Sequence, residues 1–171
     1  MTSSPTPGLT RFNTLDDSAA TAELHEVCAS SAWVSKLLAQ RPFTSVDTLF
    51  SANEAAMAEL TAEDLAEAMG GHAPIGRPKP GDPTSAREQR GMAGASEELK
   101  TELLELNLAY QDKFGHVFLI CATGATGEFM RDAVKVRIEN SPEQEREIAR
   151  GELVKINRIR LTRLVESAEG E

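Results

Sequence analysis

His72 is the residue whose type and setting first suggest chemistry in this 171-residue chain. It follows the glycine pair Gly70-Gly71, and glycine lets a backbone approach a ligand closely. Histidine is the side chain best suited to proton transfer near neutral pH. A histidine at a helix end can also act as a cap that interacts with the helix dipole. Spacing alone leaves the catalytic role and the capping role equally open.

Ser85, Glu88 and Gln89 lie in the Gly/Pro-rich stretch that follows His72. Ser-x-x-Glu is the pattern of a capping box, in which the two side chains bond backbone amides at a helix start. Capping explains the spacing of Ser85 and Glu88 fully, and it gives Gln89 no function. Only the nearness of His72 in the sequence argues for a role in chemistry.

Arg160 is the third candidate, because a helical wheel places it on an apolar stripe with Leu153, Ile156 and Leu164. A guanidinium keeps its charge and needs an anionic partner in such a place. It could clamp a substrate carboxylate, form an internal salt bridge, or extend past the rim of the core. Arg158 points away from the stripe and is the weaker candidate.

Helices must position these candidates, since helix start and stop signals dominate the sequence. The fold class is predicted to be all-α: a compact single domain of about seven to nine helices with one Gly/Pro-rich loop. The apolar run at residues 116–122 has no second strand-like run to pair with and is predicted to be a buried helical or extended segment. The predicted helices cover about residues 16–28, 31–40, 46–60, 61–69, 97–114, 126–140 and 142–166.

Composition argues against several classes of partner. The formal net charge of -9 disfavours nucleic acid and anionic membrane, because both attract basic surfaces. No apolar run reaches the roughly 20 residues of a membrane span. Cys28 and Cys121 are interpreted as reduced thiols of a cytoplasmic protein. Residues 1–10 are predicted to be a disordered tail without signal-peptide features, and residues 11–167 to form the domain.

Motifs for metals and common cofactors are missing from the sequence. The three histidines, His25, His72 and His116, show no metal-ligand spacing. No phosphate-binding loop, nucleophile elbow or dinucleotide fingerprint appears. We therefore predict no metal site.

Six segments, in order along the chain, resemble signatures of the 2-oxo-4-hydroxy-4-carboxy-5-ureidoimidazoline (OHCU) decarboxylases of urate degradation. Six ordered matches are more specific than any one of them. One departure is Ala73, which stands where the family usually has a proline directly after the histidine. The segments are FNTL (12–15), CASSAWVSKLLAQRPF (28–43), HAPIG (72–76), SAREQRGM (85–92), YQDKFGHVFLICATG (110–124) and ELVKINRIRLTRL (152–164).

The resemblance implies an all-α homodimer that uses no cofactor and converts OHCU to (S)-allantoin with loss of carbon dioxide. It also implies that His72, Glu88 and Arg160 are the catalytic residues. The substrate-lining residues that it implies are Ala73, Ser85, Ala86, Arg87, Glu88, Gln89, Phe118, Leu119, Ile120, Cys121 and Ala122.

Two rival functions remain open at this point. One is a related lyase or hydrolase acting on another ureide or small carboxylate. The other is a helical interaction module in which His72 and Glu88 are only caps. A module predicts an exposed apolar groove, whereas either enzyme predicts a polar pocket where His72, Glu88 and Arg160 converge.

Overall fold

The computed structural model describes residues 7–70, 95–121, 123 and 125–166 of the chain. Helices are the only regular secondary structure in these ranges, which confirms the predicted all-α class. Eight helices are described, within the predicted range. They are α1 (Pro7–Thr14), α2 (Asp17–Val27), α3 (Ser31–Ala39), α4 (Val46–Glu59), α5 (Ala62–Met69), α6 (Glu97–Phe114), α7 (Gly127–Arg137) and α8 (Pro142–Glu166).

Helix starts follow the capping chemistry that the sequence predicted. Ser45 and Ser96 each accept a hydrogen bond from the amide three residues on, before α4 and α6 respectively. Reciprocal capping bonds join Thr61 to Asp64. The same reciprocal pattern opens α8. At the other end of α6, Gly115 adopts φ 83°, a left-handed conformation that glycine reaches without steric cost.

The N-terminal prediction needs a correction, because residues 7–10 belong to α1 rather than to a disordered tail. Leu9 is fully buried. A side chain at Gly8 would collide with the backbone of Val165, since a Cβ built there lies 1.6 Å from the Val165 carbonyl oxygen. The first turn of α1 therefore packs directly on the end of α8. Residues 1–6 lie outside the described part of the chain.

Contacts group the chain into two compact units, Met1–Ala68 with Val154–Glu171, and Met69–Leu153. In the first unit, α3 packs against α2 and α4. A buried amide network ties these helices to the second half of α8. Trp33 Nε1 donates to Asn53 Oδ1 at 3.0 Å, and Asn157 Nδ2 donates to the same oxygen at 3.1 Å. Asn53 Nδ2 in turn donates to the Val154 carbonyl oxygen at 3.2 Å.

The second unit has an apolar core between α6 and α7. Phe118 and Ile120 contribute to this core, although residues 117–121 form neither helix nor strand. The helical alternative for this run is therefore wrong, while its predicted burial is confirmed for three of its members. The buried residues of this core are Leu99, Leu103, Tyr110, Phe118, Ile120, Met130 and Val134.

The described helices contain no candidate for a membrane span, since none combines the necessary length with enough apolar character.

Candidate functional site

The structure describes five of the residues that the resemblance placed in the site: Arg160 and the four residues from Phe118 to Cys121. Each can therefore be located within its own unit of the chain. The predicted convergence of His72, Glu88 and Arg160 in one pocket stays a prediction. The site residues that lie outside the described ranges are His72, Ala73, Ser85, Ala86, Arg87, Glu88, Gln89 and Ala122.

Arg160 lies on α8 and is partly buried, as its place on the apolar stripe predicted. Its Nη1 donates to the Val27 carbonyl oxygen at 3.0 Å, at the last residue of α2. This contact holds the guanidinium at a helix C-terminus, where the partial negative charge of the helix favours a cation. This bond anchors Arg160 at the end of α2, and a guanidinium has the planar fork geometry suited to bidentate anion binding.

The neighbouring cationic side chain on α8, Arg158, has a different setting. It is exposed and its guanidinium carbon lies 4.5 Å from the centre of the Phe50 ring. A cation over an aromatic face is a common surface interaction. The contrast agrees with the prediction that Arg158 points away from the apolar stripe of the helix.

Cys28 adjoins the Arg160 contact at the end of α2 and is almost fully buried. Burial raises the pKa of the Cys28 thiol, and the smaller opposing effects of neighbouring groups, including Arg160, do not reverse the direction. A buried neutral thiol is a poor nucleophile. Cys28 therefore acts as a packing residue beside Arg160.

Side chains from α7 and α8 hold the backbone of residues 118–121. Arg137 Nη1 donates to the Leu119 carbonyl oxygen at 2.7 Å, and the Cys121 amide donates to Glu152 Oε1 at 2.8 Å. The guanidinium of Arg137 also lies 4.6 Å from the centre of the Phe118 ring. This irregular segment is thus fixed at both ends by ionisable side chains.

Glu145 is the buried anion on which this arrangement depends, and it is fully inaccessible to solvent. It accepts hydrogen bonds from Arg137 Nε at 2.9 Å, from Asn140 Nδ2 at 2.8 Å and from the Tyr110 hydroxyl. Burial by itself raises the pKa of Glu145, but the hydrogen bonds from Arg137, Tyr110 and Asn140 outweigh it and lower the pKa. Glu145 is therefore ionised at neutral pH, and its charge balances that of Arg137.

Sequence reasoning missed Arg137, Glu145 and Glu152. One signal could have found Glu145, because it lies four residues before Ala149 and eight before Leu153 on the buried side of α8. An acid on an apolar stripe needs a buried partner, by the argument that was applied to Arg160. No comparable pattern marks Glu152, which is partly exposed and bonds a backbone amide distant in sequence.

A surface pocket of about 580 Å³ lies along α6 and is strongly acidic. Glu102, one of its lining residues, pairs with Arg131 and Lys135. Its four carboxylates disfavour an anionic ligand, so we assign it no role in binding a substrate carboxylate. Its lining residues are Glu97, Glu98, Thr101, Glu102, Glu105 and Leu106. Within the described ranges, no group of three or more His, Cys, Asp or Glu residues is arranged to hold a metal ion.

Comparison with known proteins gives consistent matches. The chain is 33% identical over 144 residues to the uric acid degradation bifunctional protein TTL of Arabidopsis thaliana, covering 80% of this chain and 44% of that protein. It is 26% identical over 156 residues to a 2-oxo-4-hydroxy-4-carboxy-5-ureidoimidazoline decarboxylase of Haloferax volcanii, covering 90% of this chain and 93% of that protein. The chain thus spans less than half of the bifunctional plant relative.

A solved structure and a family model agree with these relatives. The crystal structure of an OHCU decarboxylase in the presence of (S)-allantoin matches with a TM-score of 0.75 and 31% identity. That match covers 84% of this chain and 97% of the crystallised chain. The family model described as OHCU decarboxylase matches residues 13–162. The chain therefore belongs to the OHCU decarboxylase family.

Proposed function

We propose that this protein decarboxylates OHCU to (S)-allantoin in urate degradation. The observation that carries the proposal is the family match over residues 13–162. The fold also matches an OHCU decarboxylase crystallised in the presence of (S)-allantoin, and this match covers nearly the whole of the crystallised chain. It supports the same activity. The relatives that act in uric acid degradation support the same pathway.

The reaction needs an electron sink, and the substrate supplies one. When the bond to the carboxylate breaks, its electron pair enters the ring and is delocalised onto the adjacent imine. The ring hydroxyl then loses its proton to become the new carbonyl, and the neighbouring ring carbon gains a proton. The former imine nitrogen takes a second proton from the solvent, which balances the charge of the departed carboxylate. No pyridoxal or thiamine is required for such a step. The protein has to bind the carboxylate, move one proton and present one face of the intermediate.

Three side chains are assigned to these tasks. Arg160 binds an anionic group of the substrate, which its partly buried guanidinium on α8 can do bidentately. His72 transfers the proton between the ring hydroxyl and carbon. Glu88 orients His72 and stabilises its charged form, as a carboxylate does in a catalytic triad. Protonation on one face gives a single enantiomer of allantoin.

The remaining site residues are assigned to substrate recognition. Gln89 and the backbone of residues 118–122 would bind the ureido and ring amide groups, which offer both donors and acceptors. The described part of this segment supports the assignment, because Arg137 and Glu152 each form a hydrogen bond with its backbone. A fixed backbone loses little entropy when it binds a small ligand.

The activity itself is the direct test. OHCU is generated fresh with urate oxidase and hydroxyisourate hydrolase, the protein is added, and (S)-allantoin is followed by circular dichroism. We expect rapid formation of one enantiomer, and we expect the rate to survive prolonged chelation and dialysis. A racemic product at the spontaneous rate would reject the proposed function. Loss of turnover with EDTA that a divalent metal restores would reject the cofactor-free mechanism.

Arg160→Lys tests the carboxylate clamp. Lysine keeps the charge but lacks the planar fork, so we expect kcat/KM to fall by on the order of 10²-fold. Arg158→Lys is the matched control, because Arg158 lies two residues away on the exposed side of the same helix. It should leave kcat/KM within about twofold of the wild type. Equal effects of the two substitutions would remove Arg160 from the mechanism.

A cytoplasmic homodimer is the proposed state of the protein. Neither Cys28 nor Cys121 forms a disulfide with a described residue, as expected in a reducing compartment. Leu108, Phe129 and Val136 are each more than half exposed, and a partner subunit is one way to cover such side chains. Sedimentation velocity tests the dimer, and fractionation of cells tests the compartment.

A further inference from the structure

Charged side chains hold the backbone of residues 118–121 where secondary structure does not. Arg137 donates a hydrogen bond to the Leu119 carbonyl oxygen, and Glu152 accepts one from the Cys121 amide. Burying an ionised side chain is unfavourable unless it is well paired, and the side chain of Arg137 is only 9% exposed. Two ionic anchors on residues 119 and 121 indicate that the direction of the backbone between them matters.

Peptide planarity transmits both contacts to Ile120, the residue between the anchors. In a trans peptide, the carbonyl and the amide hydrogen point to opposite sides of the chain. Among the described residues, the cis bond is at Arg41–Pro42, so both peptides of Ile120 are trans. The Leu119 carbonyl faces Arg137, so the Ile120 amide faces away from Arg137. By the same argument, the Ile120 carbonyl faces away from Glu152.

The protein does not use these two Ile120 groups itself, as far as the described ranges extend. Neither the Ile120 amide nor its carbonyl forms a hydrogen bond with any residue that the structure describes. Ile120 is only 9% exposed, and buried backbone groups nearly always have a partner. One donor and one acceptor on the same residue match the N–H and C=O of an amide or a ureido group.

We propose that Arg137 and Glu152 are positioning residues, which aim the Ile120 amide and carbonyl at an amide or ureido group of the substrate. The inference rests on the proposed function, which supplies a substrate of that kind. Arg137 acts through the Leu119 carbonyl, and Glu152 acts through the Cys121 amide. Glu145 holds the side chain of Arg137 in place, since its carboxylate bonds the same guanidinium.

Glu152 gives the sharper test, because it is partly exposed and its substitution leaves the buried ion pair intact. Glu152→Gln keeps an oxygen that accepts from the Cys121 amide, whereas Glu152→Leu removes the acceptor. We expect the glutamine variant to keep KM within about twofold, and the leucine variant to raise KM about tenfold with little change in kcat. The dissociation constant of (S)-allantoin should rise in parallel. Glu147→Gln is the control, since Glu147 is exposed and its partner among the described residues is Arg150, three residues along the same helix.

A purely structural role for Glu152 predicts a different result. The leucine variant would then lose thermal stability and active fraction, while KM and the affinity for (S)-allantoin would stay normal. An unchanged KM in a folded leucine variant overturns the inference, and so does a glutamine variant as impaired as the leucine variant. The wild-type assay keeps the two proposals apart: an inactive wild type rejects the proposed function, whereas an active wild type with an unaffected leucine variant rejects only the positioning role. Arg137→Lys provides a second arm, in which KM should again rise more than kcat falls.

Discussion

His72→Asn is expected to fold normally and to lose on the order of 10²–10⁴ in kcat, the range usually associated with general acid–base catalysis. The reason is that asparagine keeps polarity and hydrogen bonding but cannot exchange a proton near neutral pH. Turnover is measured with freshly generated OHCU, and folding with thermal melts. His25→Asn is the matched control, because His25 is an exposed residue of α2, and it should leave the rate unchanged.

Glu88→Gln separates catalysis from helix capping at the second site residue. Glutamine preserves the shape of glutamate and its hydrogen bond in a capping box, so a purely structural role predicts near-normal turnover. A catalytic role predicts a large loss, because the negative charge that tunes His72 is gone. We expect a melting temperature close to that of the wild type with little activity. Wild-type turnover would return Glu88 to a capping role and leave His72 without its proposed partner.

Glu145→Gln is expected to destabilise the protein by about 3–5 kcal/mol, because it leaves the buried guanidinium of Arg137 without its anion. The free energy of unfolding is measured by denaturant titration. The double variant Arg137→Met with Glu145→Leu removes both charges and should recover much of the lost stability. Glu147→Gln, on the exposed side of the same helix, should change the free energy of unfolding by less than about 0.5 kcal/mol. A single variant as stable as this control would contradict the role given to Glu145.

Glu145→Gln should also change how the stability of the protein depends on pH. The pKa of Glu145 is lower in the folded state, so its contribution to stability is present above the ordinary glutamate pKa and is lost as the pH falls through the folded value. Wild-type stability should therefore decline in acid more steeply than that of Glu145→Gln. Tyr110 affects the pH dependence of stability in the alkaline range. Burial and the hydrogen bond to Glu145 raise the Tyr110 pKa, and that contribution is lost only as strong alkali ionises the folded phenol.

Helix boundaries could be predicted from the sequence because they depend on local chemistry. Ser45, Thr61, Ser96 and Ser141 begin their helices through bonds that span three residues, and such bonds are readable as spacing. Residues 7–10 were predicted wrongly because their helix depends on packing against Val165. A contact across almost the whole chain leaves no local pattern.

Some residues of the candidate site could likewise be predicted from the sequence, and others could not. Arg160 was predictable because a cation on an apolar stripe conflicts with its surroundings, and the conflict is visible in one helix. Arg137 and Glu152 were not, since each bonds the backbone of an irregular segment 18 and 31 residues away. Backbone partners have no side-chain identity, so no residue pattern records them. The resemblance supplied the substrate-lining segment but not the side chains that hold it.

The buried Trp33 and Tyr110 each belong to a different compact unit, and each is the single residue of its type in the chain. The protein therefore carries one natural optical reporter per unit. Tryptophan fluorescence, excited at the long-wavelength edge of the tryptophan absorption band where tyrosine does not absorb, reports on Trp33 and the amide network around it. The near-ultraviolet absorbance of the phenol reports on Tyr110 and on the buried ion pair to which its hydroxyl is hydrogen-bonded. Coincident unfolding curves would mean that the units melt cooperatively, and separate curves would identify which unit loosens first, without any added label.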